Sequence, residues 1–290
     1  MTYVLTLIAA DRLDDSTLSR LLKTLPEVTG TAWLNPGKAL DIFFSGRLDD
    51  AEHAARQELK GHEVDLFAQA AEGRRKKLLI ADMDSTIVVG ETLDELAAFA
   101  GLKDHIAAIT ARAMNGEIDF KAALRERVGL LAGLSEDALA ETDRRIELMP
   151  GAKTLVGTMR AFGAYTVLVS GGFDYFTGRV RQRCGFHQDR ANRLEIASGR
   201  LTGKVIEPIL DRDAKLANLR AFAASKRIGE AEAVAVGDGA NDLDMIRAAG
   251  LGVAFHAKPV VAGEARFRVD HNDLTALLYA QGYHRDQFAG

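Results

Sequence analysis

The run Leu78-Leu79-Ile80-Ala81, entering Asp82-Met83-Asp84-Ser85-Thr86, constrains this chain more than any other stretch. A short apolar run reads as a buried strand, and this one delivers two aspartates, one residue apart, to its carboxyl end. In open parallel α/β sheets, ligands bind at that end of the strands. Two carboxylates held at one turn repel unless a cation sits between them or one takes a proton. Both outcomes are catalytic tools: a bound metal, or an acid beside a nucleophile. Taken alone, the pair describes a solvated strand end equally well.

The rest of the 290 residues suggests more than one compact unit. Residues 1–72 read as strand, helix, two strands, helix, strand. The strands are expected near Tyr3–Ala9, Thr31–Leu34, Ala39–Phe44 and Val64–Phe67, with Asn35-Pro36-Gly37 as a turn. That βαββαβ order fits a ferredoxin-like sheet covered by two helices on one face. Arg74-Arg75-Lys76-Lys77 reads as a solvated linker, residues 73–77. Beyond it, strand-like runs at 78–81, 165–169, 233–236 and 251–254 alternate with helical segments. This predicts a three-layer, Rossmann-like parallel sheet made from residues 78–87 and 150–290. The stretch from Thr92 to Met149 carries no strand pattern, so 88–149 is expected as a small helical cap inserted after the first strand. Leu194–Ile196 and Leu201–Val205 read as a hairpin added to the sheet.

Three further motifs fall at or near the ends of these elements. Val167-Leu168-Val169 runs into Ser170-Gly171-Gly172, a turn whose hydroxyl and small residues suit a phosphate oxygen as well as an ordinary bend. Gly237-Asp238-Gly239-Ala240-Asn241-Asp242-Leu243-Asp244 follows the 233–236 run, and an oxygen-rich loop of that kind suits a hard cation such as Mg²⁺. An EF-hand reading fails, because the flanks are strand and helix and no glutamate closes the loop. Asp82, Asp84, Asp238 and Asp242 gathered together need a fixed cation besides any metal. Lys204, Lys215 and Lys226 are candidates by position.

Taken in order, DMDST at 82–86, SGG at 170–172, Lys215 and GDGANDLDM at 237–245 resemble the four motifs of the haloacid dehalogenase superfamily. Within that superfamily the chain resembles phosphoserine phosphatases, through VVGETLDELA at 88–97, AMNGEIDFKAALRERV at 113–128 and GGFDYFTG at 171–178, and their bacterial members through ANRLEI at 191–196 and GRLTGKV at 199–205. The resemblance covers roughly residues 78–280. It implies Mg²⁺-dependent hydrolysis of O-phospho-L-serine to serine and phosphate, the last step of serine biosynthesis, through an aspartyl phosphate on Asp82. Asp84 would be the general acid and base, and Lys215 would neutralise Asp82 and the phosphoryl oxygens. The metal would be held by Asp82, the main-chain carbonyl of Asp84 and Asp238, with Asp242 supporting bound waters or Lys215. Ser170, Gly171 and Asn241 would bind the phosphoryl group, Glu91 the ammonium and Arg127 the carboxylate, with Met114 and Phe120 as an apolar wall. Residues 1–72 resemble ACT-like domains, but Asp11-Arg12-Leu13-Asp14-Asp15 lacks the glycine common in ligand-binding members. A packing role, or a homodimer through this unit, is therefore as well founded as amino-acid sensing.

Composition removes other classes. A net charge of −4 gives no basic face for nucleic acid. No apolar run approaches membrane-spanning length. Cys184 is the single cysteine, which rules out an internal disulfide and suits a reducing cytoplasm.

Overall fold

The computed structural model describes residues 1–289. Its first elements are β1 (Tyr3–Ala9), α1 (Asp15–Thr24), β2 (Val28–Asn35), β3 (Ala39–Phe44), α2 (Leu48–Glu58) and β4 (Val64–Ala70). The strands form an antiparallel sheet in the order β2-β3-β1-β4. Side chains alternate across a strand, and β1 uses both faces. Leu5, Leu7 and Ala9 pack against Leu21 of α1 and Ala51 and Ala55 of α2. Ile8 points the other way and joins Ala39 and Phe67 in the core of the second unit. The face of this sheet away from its helices is thus covered by the rest of the molecule.

The second unit begins with β5 (Leu78–Ala81) and passes into four helices, α3 (Thr92–Ala97), α4 (Lys103–Met114), α5 (Phe120–Gly129) and α6 (Asp137–Arg145). It continues with α7 (Ala152–Ala161), β6 (Tyr165–Phe173), α8 (Asp174–Cys184), β7 (Gln188–Ala197), β8 (Arg200–Ile206) and α9 (Arg212–Lys226). Then come β9 (Ala233–Gly237), α10 (Leu243–Ala248), β10 (Leu251–Phe255), α11 (Pro259–Glu264), β11 (Phe267–Val269) and α12 (Ala276–Ala280). The seven strands lie in the order β11-β10-β9-β5-β6-β7-β8, all parallel except the β7–β8 hairpin. Two separate clusters show why it is a three-layer fold. Leu79 and Ala81 face Leu155 and Met159 of α7 and Phe176 of α8. Leu78 and Ile80 face Leu219 and Phe222 of α9 and Met245 of α10. The two passages into and out of the helical insert pair with each other, Val88 against Leu148, with Val89 N donating to Glu147 O and Met149 N to Ile87 O. Among the described residues no helix is long and apolar enough to cross a membrane.

Three expectations need correction. The turn expected at Ser170-Gly171-Gly172 is a continuation of β6, with its register on β7 shifted between Val169 and Phe173. Local bonds replace the ladder there: Gly172 N donates to Ser170 Oγ (2.8 Å) and Asn192 Nδ2 to Gly171 O (2.8 Å). The basic run at 74–77 is solvated only in part, with Arg75 and Lys77 exposed, Arg74 half-buried and Lys76 buried. Lys76 Nζ donates to Gly73 O and Ala231 O, Arg74 pairs with the buried Asp41, and the Arg75 guanidinium lies 4.2 Å from the Tyr283 ring centre. Polar groups trapped where the two units meet need donors, and these cations supply them. The third concerns the carboxyl-terminal part, where β11 and α12 extend the sheet and its cover beyond the strands expected from sequence.

The same seam is fastened by Asp65 of β4. Its carboxylate accepts from the backbone N–H groups of Asp270 (2.8 Å), His271 and Asn272, and from Asn272 Nδ2 (2.9 Å). Gln69 Nε2 donates to Ala280 O (2.7 Å) and Asn35 Nδ2 to the Tyr279 hydroxyl (3.0 Å).

Candidate active site

β5 lies between β9 and β6, so the parallel register brings their carboxyl ends together and puts Asp82 beside Val236, whose carbonyl accepts from Asp82 N. Asp82 Oδ1 is engaged twice, by its neighbour Met83 N (2.7 Å) and by Lys215 Nζ (2.8 Å). Its Oδ2 has no hydrogen-bond partner among the described residues. Met83 is fully buried, which leaves the carboxylates of Asp82 and Asp84 flanking the same turn. Asp84 Oδ1 accepts from Thr92 N (2.7 Å) at the start of α3, and Oδ2 accepts from Ser170 Oγ (3.1 Å). Gly172 is needed beside it, because a Cβ there would stand 2.8 Å from Asp84 Oδ2.

Lys215 arrives from the first turn of α9, a helix capped by Asp211 accepting from Ala214 N. It has 0% exposure and pairs with Asp242 Oδ1 (2.6 Å) as well as with Asp82. It is not among the residues lining the cavity, so its contact is with the carboxylates from behind. Of the three lysines considered from sequence, this is the one that the fold brings to the aspartates. A further cation escaped the sequence reading. Lys258, following β10, donates to Asp238 Oδ2 (2.9 Å). Its signal was its place three residues beyond a strand end, on a fifth loop at the same edge of the sheet.

Carboxylate oxygens of Asp82, Asp238 and Asp242 lie within 4.8 Å of one another. Asp84 contributes no carboxylate oxygen to that cluster. Four buried carboxylates, Asp82, Asp84, Asp238 and Asp242, face two ammonium groups, Lys215 and Lys258, so the formal balance is −4 + 2 = −2. Burial first, and the Asp242 charge second, push the Asp82 carboxyl up, while Lys215 pulls it back. Burial also raises Asp238, to about 6, against the pull of Lys258. Burial opposes the charge on Lys215, but Asp242 and Asp82 outweigh it and hold the ammonium charged. An all-oxygen donor set short of two positive charges fits a hard divalent cation. Asn241 Oδ1, buried at the same loop with no hydrogen-bond partner among the described residues, adds an unclaimed polar atom.

A narrow cavity, with about 30 Å³ open to the centre of a water molecule, lies over these groups. Its wall includes Asp82, Asp84, Ser170, Gly171, Asp238 and Asn241 from the sheet edge. Glu91, Met114, Phe120 and Arg127 close it from the cap side, together with Thr92 and Leu124, which the sequence reading did not single out. The cap approaches closely: a Cβ on Gly171 would meet Phe120 Cζ at 2.6 Å. Glu91 accepts from Ser85 Oγ (2.8 Å), and burial, followed by the Asp84 and Asp238 charges, lifts its carboxyl to about 8. Arg127 is buried on α5 and donates through Nε to Ala123 O (3.2 Å) and through Nη1 to Thr110 Oγ1 (2.9 Å).

A parallel sheet with this carboxylate constellation beneath a helical cap defines a class, and sequence comparison names it. The chain belongs to the haloacid dehalogenase-like hydrolase family, whose pattern matches residues 79–247. Within that family its relatives include phosphoserine phosphatases. The enzyme of Streptomyces coelicolor is 43% identical over 227 residues, 78% of this chain and 55% of the relative. That of Streptococcus thermophilus is 43% identical over 203 residues, 70% of this chain and 94% of the relative. The chain spans about half the length of the Streptomyces coelicolor enzyme and of its Mycobacterium tuberculosis counterpart, 55% and 52%. Among solved structures, a haloacid dehalogenase family hydrolase from Salmonella enterica serovar Typhi superimposes with a TM-score of 0.85 at 30% identity, covering 98% of this chain and 99% of that one.

Proposed function

We propose that the protein is a Mg²⁺-dependent phosphomonoester hydrolase acting on O-phospho-L-serine, with water, to give L-serine and phosphate. The observation that carries this reading is the asymmetry of Asp82: one carboxylate oxygen held by Met83 N and Lys215, the other free beside Asp84. The relatives named phosphoserine phosphatase supply the substrate.

Asp82 Oδ2 attacks phosphorus, the bond from phosphorus to the seryl oxygen breaks, and the phosphoryl group passes to the enzyme as an aspartyl phosphate. Asp84, whose carboxyl burial raises, gives its proton to the leaving seryl oxygen. It then takes a proton from the water that attacks the aspartyl phosphate, releasing phosphate and restoring Asp82. Ser170, Gly171 and Asn241 bind the phosphoryl oxygens, where each oriented donor contributes on the order of a hundredfold in rate. Lys215 offsets part of the rise that burial and Asp242 impose on the Asp82 carboxyl. Asp82, the Asp84 carbonyl and Asp238 would hold Mg²⁺, which would supply charge neutralisation for an anion meeting an anion. Asp242, with Oδ1 on Lys215 and Oδ2 accepting from Gly239 N, orients that lysine.

On the cap side, Glu91 takes the substrate ammonium and Arg127 its carboxylate, a pairing suited to a planar guanidinium. Met114 and Phe120 exclude water. The reading includes the last step of serine biosynthesis, in the cytoplasm, and a homodimer through residues 1–72. The edge position of β2, with Val28 and Trp33 more than a third exposed, supports that assembly.

Phosphate release from phosphoserine, phosphothreonine, phosphohomoserine and an aryl phosphate, with and without Mg²⁺, tests the proposal. The expected result is Mg²⁺-dependent turnover with highest kcat/KM on phosphoserine. Equal efficiency on the aryl phosphate would remove Glu91 and Arg127 from substrate recognition. No release from any of the four would remove the enzyme reading, and tight serine binding in that case would favour a sensor.

A further inference from the structure

We infer that Asp94 and Thr110 are positioning residues for Arg127, a relay running from α3 through α4 to α5 that aims the guanidinium at the substrate carboxylate. The inference rests on the role given to Arg127 above. Thr110 Oγ1 lies 2.7 Å from Asp94 Oδ1, and Arg127 Nη1 lies 2.9 Å from Thr110 Oγ1. The three residues are 8%, 3% and 3% exposed, so water does not substitute freely for any partner.

The chemistry of a hydroxyl gives the relay its direction. Thr110 has one proton and two acceptors in reach, Asp94 Oδ1 and, at 3.1 Å, Ile106 O. Both accept, so whichever takes the proton, the hydroxyl lone pairs are left for the guanidinium. The shorter contact to a carboxylate is the stronger. With Nε on Ala123 O and Nη1 on Thr110, two nitrogens of a planar group are fixed, and the third follows. Nη2 has no protein partner among the described residues, and Arg127 lines the cavity. Asp94 also supplies a counter-charge at one hydroxyl's remove. A carboxylate placed directly on Arg127 would occupy the fork that the substrate needs; one set behind Thr110 balances the buried guanidinium and leaves its outer donors free.

Steady-state kinetics on phosphoserine and on phosphoethanolamine, which keeps the ammonium and phosphate but lacks the carboxylate, test the relay. Thr110→Val removes both hydrogen bonds at nearly constant volume. It should raise KM for phosphoserine about tenfold, the equivalent of one hydrogen bond to a charged group, with kcat within about twofold. The phosphoethanolamine constants should move less than about twofold, and Thr110→Ser should restore phosphoserine KM. Asp94→Asn, whose amide oxygen still accepts from Thr110, should give a smaller rise with the same selectivity, and it serves if Thr110→Val does not fold. Equal losses on both substrates, an unchanged phosphoserine KM, or failure of Thr110→Ser to restore it would overturn the relay. A wild-type enzyme that uses both substrates equally well would overturn the role of Arg127 itself, and the relay with it.

Discussion

At the scale of single residues, the site is an excess of buried negative charge arranged around two ammonium groups. Asp82→Asn leaves the Met83 bond an acceptor but removes the nucleophilic oxygen. Turnover should fall at least about a thousandfold, with no acid-trapped phosphoenzyme, while circular dichroism stays that of the wild type. The raised carboxyls make a second prediction. Asp238 at about 6 and Glu91 at about 8 hold protons in the folded protein that the unfolded chain has already released. Metal-free stability should therefore fall as pH rises from about 4.5 to about 8. Mg²⁺ should raise the melting temperature more at pH 8 than at pH 5, because it binds the deprotonated cluster; thermal scans at both values, with metal and with chelator, check this. A larger Mg²⁺ effect at pH 5 would contradict it. The aspartates were legible in the sequence because each follows an apolar run that ends at the same sheet edge. Asp94 and Thr110 were not, since each acts through a partner on another helix and a lone aspartate or threonine carries no pattern, and the place of Lys258 beyond a strand end does not by itself single it out.

At the scale of elements, strength of pattern decided what could be read. β1, β3 and β5 coincide with their apolar runs. β11, with only Phe267-Arg268-Val269, is too short to show a period, and the continuation of β6 hides behind a serine and two glycines. Close packing of elements also depends on glycines whose role appears only in three dimensions. Gly252 of β10 sits where a Cβ would run into the backbone carbonyl of Ile246 on α10. Gly252→Ala should destabilise the protein by roughly 2 kcal/mol or more, because a backbone obstacle moves only with its helix. Asn241 and Asp242 immediately precede α10, so the same substitution should weaken Mg²⁺ binding, measurable by calorimetric titration beside the loss in melting temperature.

At the scale of the whole molecule, the two units share a core. Ile8, Ala39 and Phe67 of the first sheet belong to the same cluster as the α7 and α8 residues of the second unit, and Asp65 accepts from three successive backbone N–H groups. Asp65→Ala strips a buried carboxylate from those donors, a loss of about 3 kcal/mol. Calorimetry should then resolve two transitions in place of one, with faster proteolysis near residues 72–77. A single transition with unchanged cooperativity would show that the shared core and the remaining bonds of Gln69 and Asn35 hold the units together without it. The βαββαβ order was legible from turns and alternation, but the docking was not, because Arg74 and Lys76 read as a solvated linker, and Asp65 gives no signal, until the opposing backbone is in view.

The Asp65 fastening has a consequence for how the protein is made. Its donors, at 270–272, are synthesised 205 to 207 residues after the acceptor. A ribosome must therefore carry the first sheet with its mixed face, Ile8 and Phe67 beside Thr6, Asp41 and Gln69, uncovered while the intervening residues are made, so that face is the surface on which a nascent-chain chaperone has the longest time to act.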